Sequence, residues 1–299
     1  MSQFVQHRDL LLFLGAIALG AIPATGVQAQ ELAASPSVEA RYPTAHAQRP
    51  LTLPAGRIRA DVDQTVLDFA ASSNVETPVW SLSFGGAVGV GAGFELGVST
   101  HRAGPSLPRH GIYPAGALAL VLAPEGDFGD VPIYVRERLV RTDRVEAVID
   151  VGVRAPVKSD LGFDFGVLTR IFVHPSFTID VGAGYLMIVQ THEADACASG
   201  TACDGTSVLS MWVPLSGIVQ LHELVFVAIH TGIELDHHDI ERWSIPLGAE
   251  LGLTVPGAND LLDLRLSATL PRLARPFADD RTGTDLYQIQ LAAQGHFGL

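Results

Sequence analysis

The stretch Val145-Glu146-Ala147-Val148-Ile149-Asp150-Val151-Gly152-Val153-Arg154-Ala155 decides the fold. Val145, Ala147, Ile149, Val151, Val153 and Ala155 fall on one face; Glu146, Asp150, Gly152 and Arg154 fall on the other, with Arg144 just ahead of them. Successive side chains on a strand point to opposite faces, so a period of two marks a two-faced strand. The pattern recurs downstream. Leu161, Phe163, Phe165, Val167, Ile171 and Val173 alternate with Gly162, Asp164, Gly166 and Arg170. Leu262, Leu264, Leu266, Ala268 and Leu270 alternate with Asp263, Arg265, Ser267 and Thr269.

Strand length separates two architectures that share this alternation. Many runs reach 11 to 14 residues, whereas strands of soluble proteins usually stop at about 5 or 6. A tilted strand crossing a bilayer needs roughly 9 to 11. Working outward, strands are expected at 56–66, 78–88, 93–101, 130–141, 144–156, 161–173, 177–190, 207–221, 224–235, 243–255, 261–270 and 285–297. That makes about 12, an even number, as single-chain bacterial barrels have. Tight connections at 89–92, 142–143, 175–176, 222–223 and 256–260 alternate with mostly longer ones at 67–77, 102–129, 191–206, 236–242 and 271–284. Residues 115–123 are assigned to the long loop 102–129. The expected fold is all-β: an antiparallel transmembrane β-barrel with short turns on the periplasmic side.

Composition agrees. Of 299 residues, 47% are hydrophobic and only 17% charged, with a mean hydropathy of +0.28. Disorder is excluded, and a net charge of -13 excludes a nucleic-acid partner held by a basic surface. The 13-residue apolar run Leu10–Ile22, broken by Pro23 and followed by Val27-Gln28-Ala29, has the form of a secretory signal. The expected organisation is a signal peptide at 1–29, a flexible periplasmic leader at 30–53 rich in Ala, Pro, Ser and Gln, and the barrel at 54–299, embedded in outer-membrane lipid.

The last strand, with Tyr287, Ile289, Leu291, Ala293, Gly295 and Phe297 on one face, resembles the terminal signal read by the barrel-assembly machinery, which the resemblance implies as a partner. Here Gly298 and Leu299 follow the aromatic residue on which such signals typically finish. A second resemblance covers most of the chain: Leu53-Pro54-Ala55-Gly56, Phe94-Glu95-Leu96-Gly97-Val98, Phe128-Gly129-Asp130-Val131 with Tyr134-Val135-Arg136, and Ala155-Pro156. In this order they look like the outer-membrane family named for the phenol-degradation meta pathway. The resemblance implies transport of small organic compounds. Where that family ends its motif Pro-Thr-Gly, this chain has Pro156-Val157-Lys158.

Parity turns a set of charges inward: Arg57, Arg59, Arg136, Arg138, Arg144, Arg154, Arg170 and Arg265 against Asp61, Glu95, Glu146, Asp150, Asp164, Asp180, Glu234, Glu250 and Asp263. Eight against nine argues for a network filling a narrow lumen over a strong ion filter. The turn at Thr142-Asp143 sets either Arg138 against Glu146 or Arg136 against Asp150. Two functions are consistent with this: a passive channel or uptake porin for small molecules, hydrophobic or aromatic ones among them, or a structural or surface-interaction barrel with a plugged lumen. Other chemistry is poorly represented. Asp236-His237-His238-Asp239 has metal-ligand types but no second half, so no metal or cofactor is expected. His174-Pro175-Ser176 has the spacing of a hydrolase pair yet falls in a tight turn, so no enzymatic role is expected. Cys197 and Cys203, five residues apart and sent to an oxidising compartment, are expected to form a disulfide in an outer loop.

Overall fold

The computed structural model describes residues 42–69, 79–91, 93–98, 120–121, 127–128, 131–155, 161–189, 208–235, 243–257, 260–274 and 286–298. Fourteen strands occur among them: β1 (Arg57–Phe69), β2 (Val79–Gly91), β3 (Phe94–Val98), β4 (Leu120–Val121), β5 (Asp127–Phe128), β6 (Val131–Arg141), β7 (Val145–Ala155), β8 (Leu161–His174), β9 (Phe177–Val189), β10 (Val208–His222), β11 (Val225–Leu235), β12 (Trp243–Pro256), β13 (Leu261–Ala274) and β14 (Leu286–Gly298). Twelve of them close an antiparallel barrel in the order β1-β2-β3-β6 and on through β14. The seam is a ladder from Arg57↔Gly298 to Phe69↔Leu286. The seam leaves neither β1 nor β14 with a free edge, as hydrocarbon surroundings require.

β3 is short, and β4 takes its place further along β2, pairing Ser81 with Val121 and Leu82 with Leu120. β5 then pairs with β4. Residues 115–123 are therefore not loop throughout: Leu120 and Val121 patch the wall above β3. A two-residue strand is too short for its period to be counted.

The faces identify the solvent. Among the described residues, thirty-four large apolar side chains are exposed, from Tyr287 at 36% to Leu221 at 62%. The buried residues include Arg59, Asp61, Glu95, Arg136, Glu146, Arg170, Asp180 and Asp263. A soluble sandwich would show the reverse. An apolar outer wall around a polar interior is the arrangement of a barrel in lipid. Where bulky side chains cross the interior, glycines on the next strand make room. A Cβ at Gly252 would collide with the Phe226 ring, and one at Gly97 with Tyr134.

The chain ahead of β1 is the main departure from expectation. The leader 30–53 is not a flexible segment outside the barrel throughout, because from Tyr42 the chain belongs to the barrel's own unit. A 3-10 turn, His46–Gln48, leads into residues of which Ala47, Leu51 and Leu53 are 1%, 0% and 3% exposed. Tyr42 meets Leu53 in a cluster with Ala87, Tyr134 and Leu261, so residues 42–53 loop back on themselves inside the wall. Low periodicity signals a segment that is neither strand nor helix; it does not distinguish a solvated tail from an inserted loop.

Leu264 is 40% exposed on the outer face, and its β13 neighbour Ser267 faces inward. Leu264 lies three residues in from the short-turn end of β13, so Leu264→Arg should cost less folding free energy than the roughly 2–4 kcal/mol of a midplane arginine, and Ser267→Arg less still. Refolding titrations into lipid vesicles check this; equal losses would contradict the assigned faces.

Candidate functional site

The site is the short-turn end of the lumen and the segment that fills it. All five short hairpins, and the Arg57↔Gly298 end of the seam, lie at this end. Around it the inward side chains of successive strands form a polar belt. Arg136 on β6 is paired with Asp150 on β7 in direct register, with Nε–Oδ1 at 2.6 Å and Nη2–Oδ2 at 2.8 Å. Arg170 on β8 holds Asp180 on β9 in the same two-pronged way, at 2.7 and 2.6 Å. Arg59 on β1 reaches Asp61 at 3.1 Å and Glu95 on β3 at 3.4 Å, and donates to the Tyr134 hydroxyl at 3.0 Å. Tyr134 in turn donates to Glu95.

The belt continues across β10 to β13 in a looser form. Ser216 and His230 Nδ1 are 2.8 Å apart, His230 Nε2 lies 3.7 Å from Glu250, and Glu250 lies 4.0 Å from Arg265. On β13, Asp263 accepts from Thr254 at 2.7 Å and lies 3.2 Å from His296 of β14. Two-pronged guanidinium–carboxylate pairs combine charge with fixed geometry, so these strands are held in one register.

What the belt holds is the inner segment, largely through its backbone. Arg136 Nη1 donates to the Leu51 carbonyl at 2.5 Å, and Arg170 Nη1 to the Arg49 carbonyl at 2.6 Å. Thr178 donates to the Ala47 carbonyl at 2.6 Å. In the other direction, the amides of Ala47, Leu51 and Leu53 donate to Gln220 (3.1 Å), Glu146 (3.0 Å) and Glu95 (2.8 Å). Alternate residues 47, 49, 51 and 53 are thus gripped from β10 round to β3. Buried backbone groups need such partners, and here side chains supply what a neighbouring strand would. The segment also inserts its own charge: Arg49 pairs with Asp263 and donates to Thr254 at 3.1 Å. Leu51 packs on Val148 and Leu168, and Ala47 on Ile218, Phe226 and Ala228. A small cavity remains beside the segment, lined by His46, Arg49, Leu53, Arg59, Arg265 and His296 among others.

The expected inward residues are mostly placed here, with exceptions. Asp164 and Glu234 are each 7% exposed, further from the segment. Arg57 lies over the Tyr42 ring, 5.0 Å from its centroid. Arg138 stands opposite Val148, so the Arg138–Glu146 alternative is not the one formed; its side chain lies against Gly93. A register shift beside it turns both Leu139 and Val140 outward. Arg144 is exposed on the turn and not in the lumen, because Thr142 closes that turn onto Arg144 and Val145 before β7 begins. Arg154 is placed in register between Pro132 and Gly162. Tyr287, Ile289, Leu291 and Phe297 all face outward. Cys197, Cys203 and residues 236–239 lie outside the described residues. His174 and Ser176 do meet, Nδ1 to Oγ at 2.8 Å, but the same nitrogen receives the Ser176 amide and closes an exposed turn. Sequence reasoning missed Arg49, Tyr134, Thr254 and His296; an arginine and two buried leucines at alternate positions in 49–53 were the available signal.

No protein-family model matches the chain, and no curated protein matches it in sequence. Among solved structures it is similar to the NanC porin, at 8% identity and a TM-score of 0.52, over 80% of this chain and 100% of that one. It is also matched by the KdgM porin in complex with disordered oligogalacturonate (5% identity, TM-score 0.48, 81% of this chain and 99% of that one) and by an outer-membrane channel of Pseudomonas putida F1 (11%, 0.45, 82% and 97%). The NanC likeness shows the fold: this is an outer-membrane type of β-barrel.

Removing one partner of a buried ion pair costs about 3–5 kcal/mol, because the other charge is left without one. Arg170→Leu should therefore destabilise strongly, orphaning Asp180 and the Arg49 carbonyl. Arg170→Leu with Asp180→Leu should recover much of the loss. Thermal unfolding in detergent micelles checks the pair; equal loss in single and double variants would contradict it.

Proposed function

We propose that the protein is a passive channel for small organic solutes across the bacterial outer membrane, with residues 42–53 closing its periplasmic mouth. One observation carries the reading: a closed wall, apolar outside and polar inside, whose mouth is filled by a segment of the same chain held by side chains instead of by a strand ladder. A strand would be a permanent part of the wall. A loop gripped by side-chain hydrogen bonds can leave without opening the barrel, since the β1–β14 seam does not include it. The balanced pairs of the belt favour neutral or weakly charged solutes, because each pair presents both signs to the path. The resemblance to the meta-pathway family supplies the organic class. Short turns face the periplasm in single-chain bacterial barrels, which supports a periplasmic position for the segment.

The extent of burial favours a second reading, a structural barrel permanently plugged. Conductance separates the two. Leu51→Asp sets a carboxylate beside Glu146 in a site where Leu51 has no exposure; burying leucine contributes about 1.5–3 kcal/mol, and the charge reverses that. In planar bilayers, full-length Leu51→Asp should conduct several-fold more than the wild-type chain. Near-zero conductance in both would leave the structural barrel.

A further inference from the structure

We propose that acidification expels residues 42–53 from the mouth, with His46 as the group that senses it. The proposal rests on the channel reading for its consequence, but segment release can be measured without it.

His46 sits on the segment's 3-10 turn with its ring stacked on Phe226, 4.0 Å between centroids and 10° between planes. Its Nδ1 lies 3.5 Å from Arg49 Nη1. A guanidinium can only donate, so that nitrogen must accept, and it can do so only while the ring is neutral. The charges acting on the ring come from several elements. Arg49 is on its own segment, Arg170 on β8 with its partner Asp180 on β9, and Asp263 and Arg265 on β13. Glu250 on β12 also acts on it. From β10 the segment meets the neutral Gln220, and from β11 the apolar Phe226; His230, also on β11, is engaged with Ser216. The three cations Arg49, Arg170 and Arg265 already engage the three carboxylates, with Arg170 on Asp180, Arg49 and His296 on Asp263, and Arg265 near Glu250, which leaves no carboxylate for another positive charge.

Burial first, and Arg49 second, hold the His46 pKa well below its ordinary value of 6.5 while the segment is inserted. A withdrawn segment would regain the ordinary value. Above that pH the ring is neutral in both states and exerts no bias. Below it the withdrawn state takes up a proton and the inserted state does not, so insertion weakens about tenfold per pH unit until the inserted pKa is reached.

Hydrogen exchange of the full chain in lipid vesicles at pH 7.5 and 5.0, corrected for intrinsic rates, reads this directly. The amides to follow are Ala47, Leu51 and Leu53, held by Gln220, Glu146 and Glu95. Their protection should fall by up to about 30-fold at the lower pH, the value for one proton over the 1.5 units below 6.5. His46→Phe keeps the stack without titrating, and His46→Gln keeps an acceptor toward Arg49. The pH step should vanish in whichever variant retains protection at pH 7.5. Unchanged wild-type protection, an undiminished step in such a variant, or loss of protection at pH 7.5 in both variants would overturn the proposal. Conductance at the same two pH values reports separately: release without a rise in current supports the sensor and counts against the channel.

Discussion

A barrel wall in hydrocarbon leaves no strand edge open, and the β1–β14 seam meets that constraint here. The rest follows from closure. Once the wall is a closed ribbon with a period of two, one face must meet lipid, and the apolar set takes it. The charged set is then confined to a narrow interior. Charges taken from water need partners with good geometry. The Arg136–Asp150 and Arg170–Asp180 pairs supply them, and both guanidiniums keep one further donor pointing inward. Those spare donors, with Glu95, Glu146 and Thr178, create a set of groups that still needs to be satisfied. The chain's own residues 47–53 supply a partner to each of them.

This order explains what could be read from sequence. The wall was legible because alternation is counted over ten or more residues, and each strand repeats the same test. The tight turn at Thr142-Asp143 narrowed the register to two choices, of which Arg136↔Asp150 is found. Where parity is locally reset, as between Arg138 and Val140, or where a residue belongs to a turn, as Arg144 does, the reading fails for a local backbone reason. Neither failure touches the neighbouring strands, because the ladder restores the register within a few residues.

The inner segment was not legible for a different reason. Its contacts use backbone carbonyls and amides, which every sequence offers, so no residue pattern advertises them. Its side chains carry a weaker mark: Ala47, Arg49, Leu51 and Leu53 occupy alternate positions and are all buried. Only Arg49, as an additional cation facing Asp263, is chemically distinctive. The inward charges could be read as a network, but their purpose could not, because half of it lies in a segment with no period of its own. The same holds for His296, on a strand noted for its outward face, and for Tyr134, noted only as part of a motif: both point inward and complete the belt.

The central claim is that residues 42–53 occupy the lumen of the folded barrel. Proximity of Leu51 to the wall residue Val148 tests it most directly. In a full-length chain with Cys197→Ser and Cys203→Ser, the pair Leu51→Cys and Val148→Cys should be joined by a short bifunctional thiol reagent in intact outer membranes, giving one internally bridged species by mass. Full reaction of both thiols as separate adducts, with no bridge, would contradict the account and return the segment to the periplasm.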